Sequence, residues 1–170
     1  MATARFFLGV DGGATRCRAR LRDSSGRELG HSVGPAANIY IDFDAAMRVV
    51  RETINSVIAA GASKQEIAVG LGIAGFSEDK EAERVAAALP DFARIVVVND
   101  AVAACVGANG LGDGGLVIAG TGSAGIARVG ATTTIIGGRG FQLGDGSMRA
   151  ALDLLFGQER EEAFDLIDPG

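Results

Sequence analysis

A chain of 170 residues with 48% hydrophobic content can bury a sizeable core, which excludes a disordered polypeptide. No apolar run approaches the ~20 residues needed to span a bilayer, and no signal peptide is read at the N-terminus, so no membrane association is expected. The formal net charge of −5, from 16 basic and 21 acidic residues, argues against non-specific nucleic-acid binding.

Phe6 to Val10 reads as a strand buried on both faces, and Asp11-Gly12-Gly13 after it is a hairpin signal. Cys17, Ala19 and Leu21 then alternate with Arg16, Arg18, Arg20 and Arg22, the period of a half-exposed strand. Asp23 to Gly26 is a turn, Arg27 to Val33 a third antiparallel strand, and Gly34-Pro35-Ala36-Ala37-Asn38 a loop. Phe43, Met47, Val50, Ile54, Val57 and Ile58 fall at helical spacing, with Asp42 as the cap and Gly61 as the stop. Ser63 to Glu66 has capping-box form and room for at most one turn. Ile67 to Ile73 is the next strand. Ser77 caps a helix carrying Ala82, Val85, Ala86 and Leu89, which Pro90 stops. Ile95 to Val98 is uniformly apolar, as in the covered middle of a parallel sheet. Asn99-Asp100 ends that strand, and Ala101 to Val106 begins another helix.

Gly107 to Gly115 is the one clear break in composition and a candidate boundary between a first lobe, 1–111, and a second, 112–170. Beyond it the pattern restarts: Leu116 to Ala119, a Gly120-Thr121-Gly122-Ser123 turn, Ala124 to Val129, then Thr132 to Ile136. Strand, small-residue turn, strand, strand thus occurs twice. Leu116 to Ala119 and Thr132 to Ile136 would be open edges. Gly137 to Ser147 leads into a last helix near Met148 to Phe156.

The 26 glycines gather at strand ends, where backbone turns or closely approaches a ligand. Two Gly-, Thr- and Ser-rich turns, one per lobe, suit a clamp on a polyphosphate through backbone N–H groups and hydroxyls. Asp11 suits Mg²⁺ held partly through water. Asp100, past a buried strand, lies where open α/β sheets bind ligands and could accept a proton from an attacking hydroxyl. Each has a plainer alternative: Asp11 as turn residue, Asp100 as helix cap, Asn38 as loop turn, Asp145 with Ser147 as cap. Cys17 and Cys105 have neither metal-ligand spacing nor a disulfide pattern, and read as small buried residues of a reduced, cytoplasmic protein. His31 reads as an ordinary edge residue.

Taken together, Gly9-Val10-Asp11-Gly12-Gly13-Ala14-Thr15, Gly34 to Asn38, Val98-Asn99-Asp100-Ala101, Gly120 to Ser123, and Gly137 to Phe141 with Leu143-Gly144-Asp145 resemble the BadF/BadG/BcrA/BcrD-type ATPase family. That family, which includes N-acetylglucosamine and glucosamine kinases, belongs to the actin, heat-shock chaperone and hexokinase superfamily. The resemblance implies an α/β fold: a ribonuclease H-like actin-type ATPase lobe with a mixed five-stranded sheet, plus the beginning of a second similar lobe. It implies ATP and Mg²⁺ as cofactors and a small-molecule amino sugar or related hexose as substrate. Asp11 would organise Mg²⁺; Gly12, Gly13 and Thr15 would hold phosphate; Gly120, Thr121, Gly122 and Ser123 would hold the β- and γ-phosphates. Asn38 would contact a sugar hydroxyl, and Asp100 would be the catalytic base. The chain departs from the family pattern at Arg139, commonly Trp, and at Gly144-Asp145-Gly146-Ser147, one acid short. Family members also continue well past the position of Gly170. Two rival readings are a dehydratase-activating ATPase and a non-catalytic module completed by a partner chain; a homodimer is expected.

Overall fold

The alternation of small apolar residues with arginines builds the first hairpin. The computed structural model describes residues 4–58, 62–76, 79–119 and 123–137. Strand β1 (Phe6–Gly12) pairs antiparallel with β2 (Cys17–Asp23), which pairs antiparallel with β3 (Glu28–Gly34). Cys17, Ala19 and Leu21 face the core, whereas Arg18, Arg20 and Arg22 are exposed. The Asp23 turn forms as expected: its carboxylate accepts the N–H groups of Ser25 (2.9 Å) and Arg27 (3.1 Å), and Gly26 takes φ +85.

Helix α1 (Phe43–Asn55) starts at Asp42, whose side chain accepts the Ala45 N–H at 3.0 Å. It ends at Asn55 rather than near Gly61, and Gly61 lies outside the described residues. Ser63 to Glu66 makes only the 3₁₀ turn Lys64–Glu66, without a side-chain cap. Strand β4 (Ile67–Ile73) runs parallel to β1, and β5 (Arg94–Asn99) parallel to β4. The result is a mixed five-stranded sheet in the order β3-β2-β1-β4-β5. Helix α2 (Asp79–Ala87) contributes Val85 to the core, joined by Leu89; the proposed cap, Ser77, is outside the described residues. The Arg84 guanidinium lies 3.5 Å from the centre of the Phe43 ring, linking α2 to α1.

Two expectations about burial are corrected. β1 is not buried on both faces: Leu8, Val10 and Gly12 point into the core, but Phe7 is 49% exposed. Among the described residues β5 is not in the covered middle of the sheet but on its edge, and Val96 is 44% exposed. The cause is shared. The core beneath α1 and α2 takes one face of the sheet, through Leu8, Val10, Val69, Leu71, Met47, Val50, Ile54 and Val85. The opposite face, with Phe7, Gly9, Gly70 and Val96, is open among the described residues, except where helix α3 (Asp100–Asn109) packs at Gly72.

That packing explains one glycine. A Cβ on Gly72 would overlap the Ala103 side chain and lie 3.5 Å from the Asp100 Cα, whereas nothing lies within 4 Å at Gly70. Gly72→Val should therefore destabilise the chain by about 1–3 kcal/mol through overpacking, with Gly70→Val neutral or mildly stabilising. Thermal melts of the two variants check this; equal midpoints would refute it.

Contacts divide the chain into two units, Met1–Ala103 and Ala104–Gly170, with the division falling inside α3 rather than in the glycine-rich run that follows. In the second unit, β6 (Gly114–Ala119), β7 (Ser123–Val129) and β8 (Thr132–Gly137) form an antiparallel sheet in the order β6-β7-β8. The repeat read from the sequence is thus realised as two antiparallel three-strand meanders, β1-β2-β3 and β6-β7-β8, and β6 and β8 are edges among the described residues. Asn109 closes the glycine-rich connection, donating to the carbonyls of Cys105 (3.1 Å) and Gly115 (3.3 Å).

Candidate active site

The parallel strands end in register. Gly12 pairs with Ile73, and Ile73 with Asn99, so Asp11 and Asp100 flank one row at the carboxyl edge of the sheet. This edge of an open α/β sheet is where ligands are held. Asp11 is exposed, and Arg18 Nη1 lies 3.3 Å from its Oδ2. An ion pair this wet contributes no more than about 1 kcal/mol, so the carboxylate can be surrendered to a stronger cation.

The turn after β1 is tighter than expected. Gly13 donates its N–H to the Arg16 carbonyl at 3.0 Å, leaving Ala14 and Thr15 at the tip. Neither Gly12 nor Gly13 has positive φ, so the Asp-Gly-Gly run is not itself the two-residue turn. These glycines answer to space: a Cβ would come 3.2 Å from Ile73 Cγ1 at Gly12 and 3.3 Å from the Arg16 carbonyl at Gly13. Thr15 is exposed, and its hydroxyl has no hydrogen-bond partner among the described residues.

A second loop is stitched to this turn. Ala37 donates its N–H to the Gly13 carbonyl (3.0 Å), Ala74 to the Gly12 carbonyl (2.7 Å), and Ile39 to the Ala74 carbonyl (3.1 Å). Asn38 bridges to Ala74 and accepts the Tyr40 N–H on Oδ1 at 3.0 Å, so the turn role weighed for it is present. Its amide nitrogen has no partner among the described residues and remains available to a ligand. The sequence reading missed Gly75, which takes φ +82 and abuts Asn38 Oδ1 and Tyr40 so closely that a Cβ would overlap both. A lone glycine after the Ile73-Ala74 strand end was the available signal.

Asp100 opens α3. Its Oδ1 accepts the Ala101 N–H at 3.0 Å and its own backbone N–H also bonds the carboxylate, while Asn99, whose Oδ1 accepts the same Ala101 N–H at 2.9 Å, occupies the cap position. Burial pushes its carboxyl above the usual range; the Ala101 N–H opposes this, and the negative charge of Asp11 adds to the rise. Asp11 and Asp100 thus feel each other across the end of the sheet.

Gly120, Thr121 and Gly122 lie outside the described residues, as do Arg139, Asp145 and Ser147; Ser123 opens β7. No cluster of three or more metal-ligating side chains exists among the described residues. Asp11 fits Mg²⁺ nonetheless, because that ion takes one or two carboxylates and completes its shell with water and phosphate oxygens.

This sheet, with its first hairpin and its acid at the end of β1, is that of the actin-like ATPases and sugar kinases. The chain superposes on a protein assigned as an N-acetylglucosamine kinase from Chromobacterium violaceum with a TM-score of 0.76 and 31% identity, over 84% of this chain and 52% of that one. A similarly assigned protein from Porphyromonas gingivalis gives a TM-score of 0.64 and 25% identity, over 94% and 60%. Glucosamine kinase GspK of Vibrio cholerae is 36% identical, over 96% of this chain and 57% of that protein. Residues 8–157 match the family model, and the chain belongs to the BadF/BadG/BcrA/BcrD ATPase family. It spans a little over half the length of the curated relative it matches.

Proposed function

We propose that this chain carries part of the machinery of an ATP-dependent sugar kinase, acting on a hydroxyl of an amino sugar such as glucosamine or N-acetylglucosamine. The observation that carries the reading is the pair Asp11 and Asp100 on one sheet edge, the first exposed beside Arg18, the second half-buried with a raised pKa. Asp100 takes the proton of the attacking hydroxyl. Asn38 offers its amide to the sugar, and the exposed hairpin tip at Ala14 and Thr15, with the Thr15 hydroxyl, lies open to phosphate, whereas Gly12 and Gly13 are assigned to phosphate by family likeness. Residues Gly120 to Ser123 are assigned the β- and γ-phosphates by family likeness. Mg²⁺ organised by Asp11 would offset charge on the transferring phosphoryl group, leaving the protein chiefly to position and to shield.

The activator reading, which by family likeness calls for cysteines holding an iron–sulfur cluster at a dimer interface, draws no support from Cys17 and Cys105, which are 0% and 2% exposed. The partner-completed module keeps one observation in its favour, the open edges β6 and β8 among the described residues. A coupled assay with glucosamine, N-acetylglucosamine and glucose, run beside Mg-ATP calorimetry and solution mass, separates the readings. ATP-dependent phosphorylation of an amino sugar supports the kinase. An oligomer without nucleotide heat supports the module and overturns the kinase reading for this chain.

A further inference from the structure

We infer that Asn99 is a positioning residue, whose carboxamide ties Asp100 to the loop after β4 and thereby sets the candidate base against Asn38. The inference rests on the kinase reading for its catalytic meaning, but its geometry stands without it. Asn99 Nδ2 donates to the Phe76 carbonyl at 3.0 Å, and Asn99 Oδ1 accepts the Ala101 N–H at 2.9 Å. Asp100 Oδ1 accepts the same N–H at 3.0 Å, so the two side chains share one donor and are held side by side.

The loop that Asn99 grips is itself anchored at its other end. Ala74 donates to the Gly12 carbonyl and accepts from Ile39, and Gly75 is moulded against Asn38 Oδ1 and Tyr40. A continuous run of contacts therefore passes from Asn38 through Ala74 and Phe76 to Asn99 and Asp100. An N-cap alone would not need it. Serine or aspartate caps a helix as well as asparagine does, but a serine hydroxyl is too short to cap Ala101 and reach the Phe76 carbonyl together. The donor side of the carboxamide is the part that capping leaves unexplained.

Asn99→Ser keeps a capping oxygen and removes the tether; Asn99→Ala removes both. In the sugar-kinase assay, both variants should lose about tenfold to a hundredfold in kcat with the KM for ATP within twofold, as misplacement of reacting groups does. Asn99→Ser should nonetheless keep the wild-type melting temperature more closely than Asn99→Ala. Wild-type kcat in Asn99→Ser would overturn the inference, as would losses of activity that simply follow melting temperature. If the parent chain phosphorylates no sugar, the kinase reading fails and the tether is read by amide NMR alone. Asn99→Ser should then shift the resonances of Asn38, Ile39 and Ala74 along with that of Ala101. Changes confined to Ala101 and α3 would leave Asn99 a mere cap and refute the tether.

Discussion

Asp100→Asn is expected to reduce phosphoryl transfer by about a thousandfold, within the range that general base catalysis contributes. The substitution is nearly isosteric, and the amide oxygen can still accept the Ala101 N–H, so the start of α3 is preserved while the proton acceptor is lost. The pH dependence follows from the direction of the shift. Because burial and the Asp11 charge raise the Asp100 pKa, the acid limb of kcat/KM in the parent chain should lie above the ordinary carboxylate range, with activity lost as pH falls through it. Stability moves the other way. Between the unfolded and the raised folded pKa, the native chain holds a proton that the unfolded chain has released. The contribution of Asp100 is thus fully present below the unfolded pKa and is lost as pH rises through the folded one. At neutral pH the charged, half-buried carboxylate opposes folding, so Asp100→Asn should melt higher than the parent, and the difference should vanish in acid. A variant that is both inactive and more stable at neutral pH is the signature of a functional carboxylate. An active Asp100→Asn would remove Asp100 from the chemistry.

Much of this was legible where a pattern is local. Cys17, Ala19 and Leu21 declared β2 because every second residue of a half-buried strand must be small or apolar. Asp42 declared the start of α1, since its side chain satisfies an orphan N–H of the first turn. The repeated strand-turn-strand-strand order came through because both meanders are made of sequence neighbours. What failed depended on placement across the sheet. Phe6 to Val10 and Ile95 to Val98 are apolar throughout, and an apolar run does not say whether both faces are covered. The packing of α1 and α2 on one face only decides that, and it leaves Phe7 and Val96 exposed on the other among the described residues. At the site, the acids could be named because Asp after a strand is conspicuous. The close fit of Gly75 and the hydrogen bonds of Asn99 could not, because they arise from a loop meeting Asn38 on one side and the head of α3 on the other.

The Asp11→Asn variant carries the other large effect. If Asp11 organises Mg²⁺ at the mouth of the first hairpin, neutralising it should weaken Mg²⁺-dependent ATP binding about a hundredfold or more, the scale on which metal affinity responds even to indirect support of its ligands. Binding of ATP in excess chelator should barely change. The fold should persist, because Asp11 is exposed and its 3.3 Å contact with Arg18 is wet on both sides. Arg18→Ala then serves as the control: it breaks the same ion pair, should alter stability by less than about 1 kcal/mol, and leaves the carboxylate free for the metal. Asp11→Asn also has a consequence that needs no nucleotide. Removing a negative charge that disfavours ionisation of Asp100 should lower the Asp100 pKa, visible in a carboxyl NMR titration of the free chain. Calorimetry and titration therefore interrogate one charge from two directions. Weakened Mg-ATP binding with an unmoved Asp100 would mean that the two acids do not share a site; a lowered Asp100 pKa with undiminished Mg-ATP binding would take the metal away from Asp11.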